Sequence, residues 1–147
     1  MFDKAVFIAA REHLGVRDKG GHAYILHPMR IAMRLNTNDE ELMSIAILHD
    51  VIEDSKLTFE DLKAEGFTDR VIEGLKLLTH QKGVSYDDYI DGMRGNRDAL
   101  LVKREDLRDN SDITRLKGVS EKDFERMNKY IRSFAKVEAY LKELEGQ

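Results

Sequence analysis

The chain has 147 residues, 41% hydrophobic and 35% charged, with a formal net charge of −4, one proline and no cysteine. That length fits one domain over 1–147, and that balance excludes an intrinsically disordered chain. A mildly acidic chain is excluded as an unaided nucleic-acid binder, which needs clustered positive charge, and the missing thiols exclude disulfides and thiolate metal sites.

Residues 2–14 read as a helix with Ala5, Phe7, Ile8 and Leu14 among its apolar positions. The apolar run at 5–10 is too short for a signal peptide and ends in Arg11 and Glu12. No stretch approaches the ~20 apolar residues of a membrane helix. No membrane or nucleic-acid partner is therefore expected, and a cytoplasmic setting is. Nothing in the sequence sets the oligomeric state. A charged loop over 15–26 carries Gly20-Gly21, and His27-Pro28 then opens a helix, proline being favoured at the first helical position. Asn36-Thr37-Asn38 ends it. Asn38, with Glu41 three residues on, is the expected N-cap of a helix running to about Asp54. That helix is apolar on almost every side, which predicts a central position. Thr58 and Asp61 open a short helix ending near Gly66, and 69–79 is amphipathic. After the loop Gln81-Lys82-Gly83, Ser85 with Asp88 opens another short helix. A longer one is expected over 96–116. Ser120 and Asp123 form a capping-box signature before a last helix with Phe124, Met127, Ile131, Phe134, Val137, Leu141 and Leu144 as its stripe. Beyond Leu144 the tail is expected to fray. The fold class is all-α, a compact helical bundle.

The informative residues are polar ones at apolar positions. The central helix carries His49-Asp50 and Glu53-Asp54, and the four-residue step sets Glu53 over His49 and Asp54 over Asp50. Burying carboxylates is costly unless a positive partner is present, and a metal cation is one such partner. In the helix from Asn96, Asp106 and Asn110 interrupt a stripe of Ala99, Val102 and Ile113. Lys103, Arg104, Glu105 and Arg108 are expected on its flanks and outer surface. His27 sits at a helix start, where its ring can be held in one direction. Each of these, taken singly, is more often a cap, a solvated acid or a paired structural residue. Together they offer imidazole and carboxylate groups from three helices, a set suited to a borderline divalent ion.

These residues fall in segments that resemble a known family. Tyr24-Ile25-Leu26-His27-Pro28 matches a "YIxHP" pattern, and His49 to Ser55 matches "HDxxEDT" with serine for threonine. Lys103 to Asn110 matches "KxxDxxxN". In their order and spacing they resemble the HD superfamily, in particular the hydrolase domain of RelA/SpoT-type proteins and its small stand-alone relatives. The resemblance implies an HD-type helical fold and one divalent ion, usually Mn, held by His27, His49, Asp50 and Asp106. It implies that Glu53 and Asp54 serve the attacking water, and that Lys19, Tyr24 and Asn110 meet a small-molecule nucleotide. Lys103, like Lys19, is a candidate phosphate contact by its charge. The implied reaction removes the 3′-pyrophosphate from guanosine tetra- or pentaphosphate (ppGpp-type) alarmones. The chain departs from the family at Asp18-Lys19, where an Arg-Lys pair is common, at Ala23, and at Ser111-Asp112. These departures spare the expected metal and water positions. They leave two alternatives: a phosphatase acting on another nucleotide or a phosphorylated cofactor, and a non-catalytic nucleotide-binding module. His13, His22 and His80 are expected to have no catalytic role.

Overall fold

Most helices begin where a short polar side chain can replace a missing backbone partner. The structure is a computed structural model and describes residues 1–146. It holds α1 (Phe2–Glu12), α2 (Leu26–Arg34), α3 (Glu40–Leu48), α4 (Val51–Asp54), α5 (Phe59–Ala64), α6 (Asp69–Leu78), α7 (Tyr86–Asp91), α8 (Arg97–Asn110) and α9 (Glu121–Glu145). A 3-10 turn at Ile113–Arg115 and one isolated antiparallel bridge between Arg17 and Ala23 complete the regular structure of the described residues. Thr58–Asp61 and Ser120–Asp123 form reciprocal capping boxes, and Thr68, Ser85 and Asn96 each accept one first-turn N–H. Each such cap is worth about 1 kcal/mol.

The core centres on α3. Ile45, Ala46, Ile47 and Leu48 have no solvent exposure, and the helix packs against α1, α2, α6 and α8. α8 lies between α9 and α2. This sandwiching explains one departure from the sequence reading. Lys103 and Glu105, expected on outer flanks, are 7% and 2% exposed, because α8 has little outer surface left.

Other boundaries move for identifiable reasons. α3 is capped by Asp39, not Asn38: the Asp39 backbone is extended and its carboxylate accepts from the Glu41 and Leu42 amides. α2 starts one residue before His27, which puts Pro28 third in the first turn, where its missing N–H still costs no intrahelical bond. The expected single helix to Asp54 is broken at His49-Asp50 into α3 and α4. The His49 ring nitrogen Nδ1 lies 2.7 Å from the Ala46 carbonyl, which also accepts the His49 amide in a tight three-residue step. α8 stops at Asn110 rather than near Leu116, since Asp112 accepts from Thr114 and caps the 3-10 turn instead. In α9 the inward line follows Met127, Tyr130, Phe134, Val137 and Leu141, whereas Phe124 and Ile131 are 53% and 60% exposed. α9 continues through Glu145, and Gln147 of the expected frayed tail lies outside the described residues.

The loop between α1 and α2 folds back on the 3-10 turn. Asp18 accepts from the Gly20 and His22 amides at 2.9 Å, and its other oxygen lies 3.3 Å from Arg115. Gly20 abuts the Arg115 carbonyl so closely that any side chain there would collide with it. No described helix is long and apolar enough to cross a membrane.

Candidate metal centre and adjoining cleft

Three stretches of chain deliver the polar groups at the centre of the fold. α2 brings His27, the α3–α4 break brings His49 and Asp50, and α8 brings Asp106. His27 Nε2 lies 2.9 Å from Asp106 Oδ1 and 3.8 Å from Asp50 Oδ2. His49 Nε2 lies 3.1 Å from Asp50 Oδ2 and 3.3 Å from Asp106 Oδ1. One ligand atom from each of His27, His49 and Asp106 falls within 4.8 Å of the others, and all three residues are buried. The break in the helix is what lets adjacent residues 49 and 50 face one point.

The donor set fits a divalent ion. His49 Nε2 is fully buried and has no hydrogen-bond partner of good geometry, although carboxylates stand close by. Such an orphaned atom is costly unless something occupies its lone pair. Each imidazole is held through its other nitrogen, His49 by the Ala46 carbonyl and His27 by Asp109 at 2.6 Å, so that both Nε2 atoms turn to the common centre. Two imidazole nitrogens with carboxylate oxygens suit Mn, Fe, Co or Zn.

Charge compensation runs through the whole cluster. Burial opposes protonation of His49 and the Asp50 and Asp106 carboxylates favour it, raising its pKa; a divalent ion on Nε2 would take the place of that proton. Burial likewise opposes ionisation of Asp106, and Lys103, His27 and His49 overcome that and keep its carboxyl well below the usual range. Lys103 Nζ donates to Asp106 Oδ2 at 2.7 Å and sits 5.0 Å from the ring centre of Tyr89. Asn110 donates to Asp106 Oδ1 at 3.2 Å, and the Tyr24 hydroxyl donates to Asp50. Thus Lys103, Asn110 and Tyr24 all touch the acidic residues of the cluster directly.

Two cavities adjoin here, the smaller of which opens on this centre. A smaller one of about 210 Å³ is lined by His27, Asp50, Glu53, Lys103 and Asp106, with His80, Tyr86 and Tyr89 opposite. A larger one of about 520 Å³ is lined by Arg17, Asp18, Lys19, Asp54, Arg115 and Arg126 among others. Tyr24, Asn110 and Tyr130 line both and form the shared wall. Glu53 and Asp54 are therefore parted, one to each cavity. Glu53 accepts from the His80 amide. Both acids keep solvent exposure within the cleft, yet the protein mass around them raises their pKa values. For Asp54, desolvation and the nearby Asp50 and Glu53 carboxylates push it up to about 6.

Several residues of this region escaped the sequence reading. Tyr86, Tyr89, Tyr130, Arg115 and Arg126 line the cavities but belong to no pattern that singles them out in the sequence. Asp109 lies one helical turn beyond Asp106, a spacing that could have flagged it, but it sits in the charged run Arg108-Asp109. His13, set aside in the sequence, is buried against the Tyr24 ring at 4.9 Å, with both ring nitrogens unpartnered.

Known proteins share both the sequence and this architecture. No family model matches the chain. It is similar to a guanosine-3′,5′-bis(diphosphate) 3′-pyrophosphohydrolase of Aquifex aeolicus, 31% identical over 71% of this chain, and to one of Vibrio cholerae, 34% identical over 69% of it. The chain spans 15% of the length of each of those two proteins. A pyrophosphohydrolase of the same name from Danio rerio is 37% identical over 42% of this chain and 37% of its own length. A solved structure described as a metazoan ortholog of SpoT that hydrolyses ppGpp superposes with a TM-score of 0.75 at 22% identity, covering 97% of this chain and 92% of the other. In sequence the chain is therefore similar to part of the guanosine-3′,5′-bis(diphosphate) 3′-pyrophosphohydrolases, and its fold is the all-helical bundle of that solved structure.

Proposed function

We propose that the chain is a metal-dependent phosphohydrolase that removes the 3′-pyrophosphate from guanosine tetra- or pentaphosphate, with manganese as its ion and the cytoplasm as its setting. The observation that carries this reading is the convergence of His27, His49, Asp50 and Asp106 beside the smaller cavity, with His49 Nε2 left unpartnered. Those four residues would hold the ion. A divalent ion there supplies Lewis-acid chemistry, acidifying water and offsetting charge on a phosphate.

The protein groups divide the remaining work. Glu53 faces the smaller cavity with a raised pKa, which suits a group that orients water and takes its proton near neutral pH. Asp54, on the other side of the shared wall, supports that water network. Lys103 offers the departing pyrophosphate a fixed positive charge while it holds Asp106. Lys19, Arg115 and Arg126 give the larger cavity the charge to bind the nucleotide's other phosphates, and Tyr24 and Asn110 meet the substrate where the cavities join. The acids Asp18 and Asp112 lie in the same lining, and Asp18 occupies part of Arg115. That partial neutralisation favours keeping a second reading, hydrolysis of another nucleotide or phosphorylated cofactor.

A nucleotide panel assayed with and without Mn, scoring pyrophosphate and orthophosphate separately, tests the proposal. Metal-dependent pyrophosphate release from guanosine tetraphosphate is the expected result. Release of orthophosphate from a different nucleotide would replace the alarmone by that substrate. Nucleotide binding without turnover of any panel member would reject an enzyme.

A further inference from the structure

Asp109 is completely buried on the side of His27 away from the cleft, and it lines neither cavity. Its Oδ2 lies 2.6 Å from His27 Nδ1. Arg30 and Arg34 of α2 approach its Oδ1 at 2.8 and 3.1 Å, and Arg115 approaches Oδ2 at 2.9 Å. Three guanidinium groups around one carboxylate keep it an anion, and an anion can only accept. Facing it, Nδ1 of His27 must carry the proton. The ring's other nitrogen, Nε2, faces the space shared with Asp50, Asp106 and His49, 2.9 Å from Asp106 Oδ1, where a divalent ion would stand in place of a second ring proton.

The two histidines of the cluster are therefore oriented by different means. His49 leans on a neutral backbone carbonyl, that of Ala46. His27 leans on a charged side chain, and charge-assisted hydrogen bonds are about twice as strong as neutral ones. We propose that Asp109 is a positioning residue that sets the tautomer and ring direction of His27 for the divalent ion. The proposal rests on the metal reading above. A merely structural Asp109, clamping α2 to α8 through the arginines, would affect stability but would have no selective effect on His27.

The test uses the full chain and two variants: Asp109→Asn, and Asp109→Asn combined with Arg30→Gln and Arg34→Gln, which removes two of the cations otherwise stranded. Mn²⁺ affinity is measured from the free-ion electron paramagnetic resonance signal. Imidazole ¹⁵N NMR is recorded on the Zn²⁺-loaded chain, Zn²⁺ being a diamagnetic probe. The expected results are Mn²⁺ binding about 10–100-fold weaker and a displaced or lost His27 Nδ1–H signal, with His49 unchanged. Mn²⁺ affinity within twofold of the original chain in a folded variant overturns the proposal, as do equal changes at both histidines. If neither variant folds, the Zn²⁺-loaded unaltered chain decides. A strongly downfield His27 Nδ1–H supports the assignment, and a proton on Nε2 overturns it. An unaltered chain that binds no Mn²⁺ rejects the metal reading itself, and this assignment with it.

Discussion

At the scale of single residues, Glu53 separates catalysis from architecture. It faces the smaller cavity beside the four clustered residues without belonging to them, and burial raises its pKa. Glu53→Gln keeps the shape and removes the charge. Turnover is expected to fall by roughly 10²-fold or more, the scale of general-base contributions, while bound Mn and nucleotide affinity stay near those of the unaltered chain. Turnover close to normal would limit Glu53 to its contact with the His80 amide, and loss of metal would make it a ligand. His49, Asp50 and Asp106 stood out in the sequence because each interrupts an apolar pattern, and His27 by its place at a helix start; their grouping as one ligand set came from the family resemblance. Asp109 was not legible, and neither was the burial of Lys103. They sit in the dense charge of α8, where composition predicts solvent and only the tertiary packing of α9 and α2 shows burial.

Helix starts were largely legible at the scale of elements, since caps are local chemistry between residues three apart. Helix ends and interruptions were not. The break at His49-Asp50 depends on a ring-to-carbonyl contact that a periodicity reading cannot see. Cross-element ties were hidden for the same reason. Arg70 of α6 reaches Asp39 at the start of α3 at 2.7 Å, Glu41 at 2.9 Å and Asp98 of α8 at 2.8 Å. Its hydrogen bonds to Asp39 hold that carboxyl below the ordinary 3.8. A depressed carboxyl stabilises the fold above its unfolded pKa and loses that effect as pH falls through its folded value. Arg70→Gln should therefore lower the melting temperature near neutral pH by about 2–4 °C, corresponding to ~1 kcal/mol in a chain of this size. The gap should narrow steadily below about pH 4. A gap that is independent of pH in thermal melts would mean that Arg70 acts by packing alone.

For the whole molecule, the all-helical bundle and the central place of α3 could be read from composition and periodicity, because an all-round apolar helix has nowhere else to go. The two-part cleft could not, since its walls come from α4, α7, α8, α9 and the loop before α2. A ligand that binds only the folded chain stabilises it by mass action, by about 2.7 kcal/mol at a hundredfold excess over its dissociation constant. Removing metal with a chelator should therefore lower the melting temperature by several degrees, and restoring Mn should reverse it. An unchanged melt after verified metal removal would contradict coupling between ion and fold.

One separation along the chain carries a consequence in time. His27 and Asp109 stand 82 positions apart, and His27 and Asp106 stand 79 apart. During synthesis His27, His49 and Asp50 all emerge well before Asp106 and Asp109, so a nascent chain carries three of the four clustered residues long before the fourth. The cluster closes late, after α8 has been made. If the four residues hold an ion, the complete set is available to it only once α8 has been made, which would make full capture a late event of assembly.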